Sequence, residues 1–345
     1  MRQRVRPRTL FITLALLCLL AVWLSLALGP VSLPLLDTLR AGLRLVGLPV
    51  PGEGLEQAEM ILGQIRLPRT LLGLAVGAVL ALSGVAMQGL FRNPLADPGL
   101  VGVASGAALG AAVAIVGGSW LGSIPDWFAP YLLSLCAFVG GLGVTAMVYR
   151  LGRRDGQTNV ATMLLAGIAM TALGGSAVGL FTYLADDATL RTLTFWNLGS
   201  LNGASYERLW PLLLVAAAVA LWLPRRAQAL NALLLGESEA RHLGIEVEGL
   251  KRELVFCTAL GVGAAVAAAG LIGFIGLVVP HLVRLVAGPD HRVLLPASLL
   301  AGGTLLLFAD LIARLALAPA ELPIGIVTAF IGAPFFLFLL VKVRS

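Results

Sequence analysis

The segment TLLGLAVGAVLALSGVAMQGL, Thr70–Leu90, decides the fold of this chain. It carries no charged residue and reaches the roughly 20 apolar residues that a bilayer-spanning helix needs. The whole sequence has the same character, since 59% of its residues are hydrophobic and only 12% are charged. Soluble domains are roughly half apolar and a quarter charged. We therefore predict an all-α, polytopic membrane protein that forms a single transmembrane domain over residues 1–345.

Ten stretches are long and apolar enough to be spans. They are Leu10–Leu28, Thr70–Leu90, Gly99–Gly118, Trp127–Tyr149, Val160–Leu184, Tyr206–Pro224, Leu254–Ala269, Leu271–Ala287, Val293–Ala313 and Leu322–Val341. The seventh and eighth come from one uncharged run that is too long for a single helix, and we divide it near Gly270. The first follows four arginines, as in a signal peptide, but its apolar run exceeds the 7–15 residues of a signal h-region. We expect a retained helix.

The basic residues indicate the topology. With the N-terminus inside, the inner segments hold 17 of the 24 Lys and Arg, and the outer segments hold the other seven. This asymmetry follows the positive-inside rule, so we predict that both termini are cytoplasmic. The net charge of +6 then reflects topology and does not indicate a nucleic-acid partner. Cys18, Cys136 and Cys257 fall inside spans, where disulfides and metal clusters are not expected.

A repeated spacing of small residues and prolines suggests two related halves. Gly77, Gly84 and Pro94 are spaced as Gly263, Gly270 and Pro280 are, at the ends of spans that run in opposite directions. Inverted repeats of this kind are typical of transporters. For a single glycine, close helix packing is the simpler explanation.

Three arginines lie at the predicted outer ends of spans. Arg66 and Arg69, at i and i+3, flank Pro68, which we expect near the start of span two, and Arg314 ends span nine. They either extend to lipid headgroups or bind an acidic external partner. Asp310 is the one acid within a span, and its i, i+4 spacing predicts an ion pair with Arg314. A proton relay at Asp310 is the alternative.

The longest inner segment, residues 225–253, contains NALLLGESEARHLGI. Its pattern predicts a short helix, a break at Gly236 and a second short helix along the membrane. Such a segment is either an interfacial amphipathic helix or an element that couples to a cytoplasmic ATPase. The chain has no GxxxxGK[ST] motif, so a separate chain would have to bind ATP. We expect no catalytic residue, metal site or cofactor.

Three stretches resemble the FecCD-type permeases, the membrane subunits of ABC importers for iron-siderophores, heme and vitamin B12. They are RLPRTLLGLAVGAVLALSGVAMQGLFRNPLADPGLVGVASG (Arg66–Gly106), GFIGLVVPHLVRLVAGPDHRVLLP (Gly273–Pro296) and AELPIGIVTAFIGAPFFLFLL (Ala320–Leu340). The resemblance covers nearly the whole chain. It implies a type II importer permease of ten helices per subunit, assembled as a homodimer in the bacterial inner membrane. The implied partners are an ATPase subunit in two copies and a periplasmic substrate-binding protein.

The resemblance also implies roles for particular residues. Arg66, Arg69 and Arg314 would hold acidic residues of the binding protein. The ATPase would dock on GESEARHLG, which includes Gly236, Glu237, Glu239, Ala240, Arg241 and Gly244. Thr158 and Asn159 correspond to the inner gate, although the family commonly has small hydroxyl residues there. Spans five and ten, including Phe330, would line the pathway.

The substrate is left open among three. TFWNLGSLNGAS (Thr194–Ser205) and GESEARHLG look most like heme permeases, while DHRVLLP also resembles the vitamin B12 permease. Heme ranks first, ferric siderophore second and cobalamin third. Two other classes compete with an importer. A membrane enzyme would need a cluster of His, Asp or Glu at one membrane face, and a proton-coupled secondary transporter would need several intramembrane ionisable residues.

Overall fold

The computed structural model describes residues 6–51, 54–118, 125 and 128–344 of the chain. Trp127, with which the fourth predicted span begins, lies outside the described residues, as do Arg2 and Arg4 of the inner basic set. Each predicted span coincides with one helix. These helices are α1 (Pro7–Ala27), α4 (Leu67–Leu90), α5 (Val103–Gly117), α6 (Ala129–Leu151), α7 (Val160–Leu184), α9 (Tyr206–Arg225), α12 (Val247–Ala269), α13 (Ile275–Ala287), α14 (His291–Leu315) and α15 (Ile324–Arg344).

Within the described residues, seven helices are long and apolar enough to cross a membrane. The helices at the third, eighth and tenth predicted spans have shorter apolar parts, Val103–Gly117, Ile275–Ala287 and Ile324–Phe338. The count of ten crossings therefore stays a prediction. The break predicted near Gly270 is confirmed, because α12 ends at Ala269 and Gly270 follows with a φ of 70°. A positive φ costs glycine little, since it has no Cβ.

Within the described residues, the connections contain the α-helices α2 (Leu35–Leu45), α8 (Asp187–Asn197), α10 (Ala227–Leu235) and α11 (Glu237–His242). They also contain a 3₁₀ helix, Pro98–Val101, and a hairpin of strands β1 (Arg153–Arg154) and β2 (Gln157–Thr158). Helix α3 (Glu56–Met60) leads directly into the second span. The two strands pair antiparallel, with Arg153 opposite Thr158. The inner segment folds as predicted, since Gly236, at a φ of 124°, separates α10 from α11. The sequence did not predict α2 or α8.

The second span begins earlier than predicted. Helix α3 continues through a π-helical turn, Ile61–Arg66, into α4, so one continuous helix runs from Glu56 to Leu90. Pro68 has no N–H to donate to a carbonyl one turn earlier, which is compatible with a widened turn at this position. Arg66 and Arg69 consequently lie within a long helix rather than at its start.

Helix α4 forms the centre of the molecule, where it packs against α9, α12, α13 and α14. Glycines allow this close packing. A methyl group on Gly77 would overlap the carbonyl oxygen of Gly302, and one on Gly84 would overlap that of Gly276. No hydrophobic effect drives helices together in lipid, so the close approach of backbones supplies packing energy instead. The glycines of span two therefore position α13 and α14.

The helix contacts follow the pattern expected for two related halves. Helix α4 packs on α14 as α12 packs on α6, and α5 contacts α6 and α7 as α13 contacts α14 and α15. The matches of Gly84 with Gly270 and of Pro94 with Pro280, proposed from the sequence, are wrong, however, because the paired residues occupy different places in the structure. Gly84 lies inside α4, whereas Gly270 caps α12. Pro94 lies in a loop, whereas Pro280 is within α13. The two halves are alike in how their helices pack against one another. The spacing of small residues did not identify equivalent positions in the two halves.

Candidate functional site

The three predicted docking arginines lie close together at the end of the bundle that the sequence predicts to be outer, although Arg314 is far along the chain from the other two. Helix α14 packs on both α1 and α4, which brings Arg314 beside Arg69. Asp310 lies between them: its carboxylate is 2.8 Å from Nη2 of Arg69 and 3.4 Å from Nε of Arg314. The ion pair predicted from the i, i+4 spacing is confirmed.

These guanidinium groups are buried, not extended toward solvent or headgroups. The exposed fractions of Arg66, Arg69 and Arg314 are 3%, 8% and 2%. Arg69 also pairs with Glu321 at 3.0 Å, and Arg314 donates to the backbone and hydroxyl oxygens of Ser25. Within the described residues, the cluster therefore ties α1, α4, α14 and the segment before α15 together.

Arg66 differs from the other two arginines. Its Nη1 donates to the carbonyl oxygens of Leu26 and Ala27, each at 2.7 Å, and Nη2 donates to Val31. No carboxylate of the described residues forms an ion pair with it. The three arginines face only two carboxylates, those of Asp310 and Glu321, so the cluster keeps one net positive charge.

At the end predicted to be inner, the structure brings together two sites that the sequence predicted separately. Lys251, buried at 1% exposure, lies near the start of α12. Its Nζ is 2.8 Å from Glu237 of α11, 3.1 Å from Glu248 and 2.9 Å from the carbonyl oxygen of Thr158. Glu248 also accepts from the backbone N–H of Thr158 at 2.8 Å. One ammonium group thus joins the predicted coupling segment to the hairpin of the predicted gate.

Lys251 and Glu248 were not among the site residues predicted from the sequence. The available signal was a lysine and a glutamate at i, i+3 on the first turns of an otherwise apolar helix, an arrangement that favours pairing. A polar cleft of about 670 Å³ opens beside this cluster, lined by both strands of the hairpin and by the start of α7. Asn159 caps α7, its side chain accepting from the N–H of Thr162. This capping bond gives Asn159 a local structural role.

The predicted ATPase-docking residues divide into a buried and an exposed face. Ala240 is fully buried under α11. Arg241 is 3.6 Å from Glu237, and Glu239 is exposed. Leu235 and Leu243, on either side of α11, are exposed at 67% and 62%. An exposed short helix with apolar residues at both ends has the form of an element that inserts into a partner's cleft.

Helices α7 and α15, the predicted pathway helices, have large uncovered faces. Only 11% of the most apolar window of α7 is buried, and Phe330 of α15 is 78% exposed. Neither Val160–Leu184 nor Ile324–Val341 contains a charged residue. Glycines Gly175 and Gly179 of α7 have nothing within 4 Å of an added Cβ.

Comparisons with known proteins agree with this architecture. A model of the FecCD transport family matches residues 17–342. The hemin transport system permease protein HmuU of Yersinia pestis is 49% identical over 287 residues, which cover 81% of this chain and 83% of that protein. The vitamin B12 import system permease protein BtuC of Klebsiella pneumoniae is 43% identical over 344 residues, covering 99% of this chain and 96% of that protein.

A solved structure of a metal-chelate type ABC transporter, in an inward-facing conformation, superposes with a TM-score of 0.83. It is 35% identical and the match covers 98% of this chain and 100% of that one. Members of this family are permease subunits of ABC importers, which work with an ATPase subunit and a substrate-binding protein and are not themselves enzymes. By its matched length, its helical architecture and these relatives, the chain belongs to the FecCD transport family.

Proposed function

We propose that two copies of this chain form the pathway of an importer that carries heme into the cytoplasm. The membrane is the bacterial inner membrane, and both termini lie on the cytoplasmic side. The observation that carries the choice of substrate is the hemin permease, which is 49% identical to this chain. Cobalamin is the second candidate, because a vitamin B12 permease matches 99% of the chain. A ferric siderophore is the third.

The exposed faces of α7 and α15 support a pathway between two copies. A large conjugated ligand would meet apolar and hydroxyl-bearing side chains there, and no fixed charge that would hold it. Gly175 and Gly179, one turn apart on α7, would let a second backbone approach closely. A pathway surface that binds its substrate weakly suits an importer in which the external binding protein selects the substrate.

The Lys251 cluster supports a route from ATP hydrolysis to the gate. Docking of the ATPase on the exposed face of α11 would move Glu237, which holds Lys251. Because Lys251 also holds the carbonyl of Thr158, the hairpin would move with α11. Thr158, Asn159 and the start of α7 then act as the inner gate.

The outer arginine cluster supports docking of an acidic binding protein. Within the part of the chain that the structure describes, Arg66 binds backbone carbonyls, and a carboxylate that replaced them would form a stronger charge-assisted bond. Arg69 and Arg314 already have carboxylate partners, and they contribute chiefly by maintaining the cluster and its net positive charge. In a dimer, two such clusters would face the two lobes of the binding protein.

The test is ATP-dependent uptake into proteoliposomes that contain the permease, its ATPase and its binding protein. Hemin, a ferric siderophore and cyanocobalamin are supplied singly and then in competition. We expect hemin to accumulate and to be displaced poorly by the other two. Uptake of cyanocobalamin without uptake of hemin would identify cobalamin, and not heme, as the substrate. Uptake that persists without the ATPase would contradict the proposal that the chain belongs to an ATP-driven importer.

A further inference from the structure

A groove lies between α6, α9 and α12, away from the pathway helices. It encloses about 380 Å³ and is lined at its inner end by Phe138, Leu212 and Val215. The wall contributed by α12 consists of Ala264, Ala267 and Ala268, whose small side chains leave the space open. Neither α7 nor α15 lines it. The groove therefore takes no part in the proposed pathway.

The groove has the length of one leaflet of a bilayer. It extends along α6 from Pro130 to Phe138, which is about 12 Å at 1.5 Å per residue. Half of a hydrocarbon core of roughly 30 Å is about 15 Å. Pro130 is at the start of α6 and Ser205 precedes α9, so the groove begins at the membrane surface that we predict to be external.

The surface around the groove is apolar and faces outward in the membrane plane. Tyr131, Leu135, Trp210 and Leu214 are exposed on α6 and α9. Tyrosine and tryptophan near helix ends are typical of the membrane–water interface. Lipid is the solvent that surrounds these side chains, so acyl chains have direct access to the groove.

The mouth of the groove carries one charge of each sign. Glu207 and Arg208 both line it, both are exposed, and neither forms an ion pair within the described residues. Pro211, which also lines the groove, cannot donate to the carbonyl oxygen of Glu207 one turn earlier. The mouth thus offers a guanidinium group, a carboxylate and a carbonyl acceptor beside an apolar cleft.

We propose that this groove is a binding site for one acyl chain of an outer-leaflet phospholipid with a zwitterionic, amine-bearing headgroup. The phosphate binds Arg208, since guanidinium forms strong charge-assisted bonds with phosphate. The ammonium binds Glu207 and the carbonyl oxygen left free by Pro211. Phosphatidylethanolamine has this chemistry. Phosphatidylglycerol has no ammonium group, and the choline of phosphatidylcholine has no N–H to donate.

The experiment is native mass spectrometry of the purified full-length chain titrated with each of the three phospholipids. We expect one tightly held phosphatidylethanolamine per chain, with phosphatidylglycerol and phosphatidylcholine bound about tenfold more weakly, as the loss of one charge-assisted bond predicts. Arg208→Gln should lower the affinity for all three. Glu207→Gln should remove the preference for phosphatidylethanolamine and leave phosphatidylglycerol binding unchanged or improved.

A second experiment fills the groove with larger side chains. Ala264→Leu combined with Ala268→Phe should abolish the tight site, whereas Ala218→Leu, on an exposed part of α9 outside the groove, should not. Arg191→Gln is the matched control for Arg208→Gln, because Arg191 is an exposed arginine that does not line the groove. Equal binding of all three lipids, unaffected by the filled groove, would overturn the proposal. Loss of binding in the filled variant without any headgroup preference would overturn the assignment of Glu207 and Arg208.

Discussion

At the scale of single residues, Lys251 is the most informative side chain of the surface predicted to be inner. It is almost completely buried, and it contacts two carboxylates and one backbone carbonyl from three different segments. A buried ammonium group is stable only when it is paired and hydrogen-bonded. Its three contacts therefore constrain where α11 and the hairpin can lie relative to α12.

Replacing Lys251 by methionine should separate ATP hydrolysis from transport. Methionine preserves most of the volume but leaves Glu237 and Glu248 with the longer contacts to Arg241, at 3.6 and 3.9 Å, which should cost about 1–3 kcal/mol of local stability. We expect uptake to fall at least tenfold while ATPase activity persists. Arg252→Met is the matched control, because Arg252 is exposed and adjacent. Normal uptake per ATP in the Lys251 variant would contradict the link to the gate.

Charge reversal at Arg66 tests docking at the outer surface. Arg66→Glu should weaken binding of the substrate-binding protein. The difference in affinity between the variant and the wild type should become smaller as salt rises, because salt screens both the native attraction and the new repulsion. Exposed pairs contribute only about 0–1 kcal/mol, but bidentate geometry in a partly buried interface can raise this to a few kcal/mol. Binding is measured by surface plasmon resonance at several ionic strengths. Gly29→Ala is a charge-neutral comparison, since its new methyl group would press on the guanidinium of Arg66.

At the scale of elements, α10 is held to the start of α14 by a small polar network. Asp290 caps α14 by accepting from the N–H of Arg292, and the side chain of Asn231 donates to the same carboxylate at 2.7 Å. Asn231 also accepts from the N–H of His291. The network fixes the segment that precedes α11, the helix that we propose as the coupling element.

The Asp290 network should weaken in acid. The hydrogen bonds from the Arg292 amide and the Asn231 side chain lower the pKa of Asp290 below its ordinary value. A carboxyl group whose pKa is lowered by folding stabilises the folded state fully above its unfolded pKa of about 3.9, and this contribution is lost as the pH falls through the folded pKa. Asp290→Asn keeps the cap but cannot titrate. Thermal unfolding of both proteins between pH 6 and 3 should show the wild type losing stability relative to the variant below about pH 4; parallel curves would contradict this.

The elements that could be predicted from the sequence are those whose signal is local. A long run of apolar residues favours a helix whether it packs against lipid or against other helices, so every predicted span coincides with a helix, and Gly236 marked the break between α10 and α11. Helix α2 was missed because its leucines are interrupted by Asp37, Arg40 and Arg44. The distant partners of Lys251 and of Arg69 could not be predicted, because Thr158 and Glu321 become their neighbours only after distant helices pack.

Helix packing provides a further test at the same scale. Gly84→Ala places a methyl group against the backbone carbonyl of Gly276, which cannot move without displacing α13. We expect a loss of about 1–3 kcal/mol or more, as for other overpacked cores, measured as a lower melting temperature in detergent. Gly143→Ala on α6 has open space around the new Cβ and should be neutral or slightly stabilising. A neutral result at Gly84 would mean that α4 and α13 are not in close contact.

At the scale of the whole molecule, the uncovered faces of α7 and α15 predict a second copy across the pathway. Cysteines introduced at Gly175 and Gly179, in a background without Cys18, Cys136 and Cys257, should form disulfides between subunits in oxidised membranes. A cysteine at Ala218 of α9 should not. The products are separated by non-reducing electrophoresis and compared with transport activity. A transport-competent complex that contains one copy of the chain would rule out the homodimer.

The ion pairs around Asp310 have a consequence for how the chain is made. Span nine leaves the ribosome long after span two, so Asp310 enters the membrane with Arg314 beside it, four residues away, and meets Arg69 only later. A carboxylate that carries its own counter-charge costs less to insert than a bare one. Synthesis can therefore deliver α14 as a nearly neutral helix, and assembly with the earlier helices then completes the charge network.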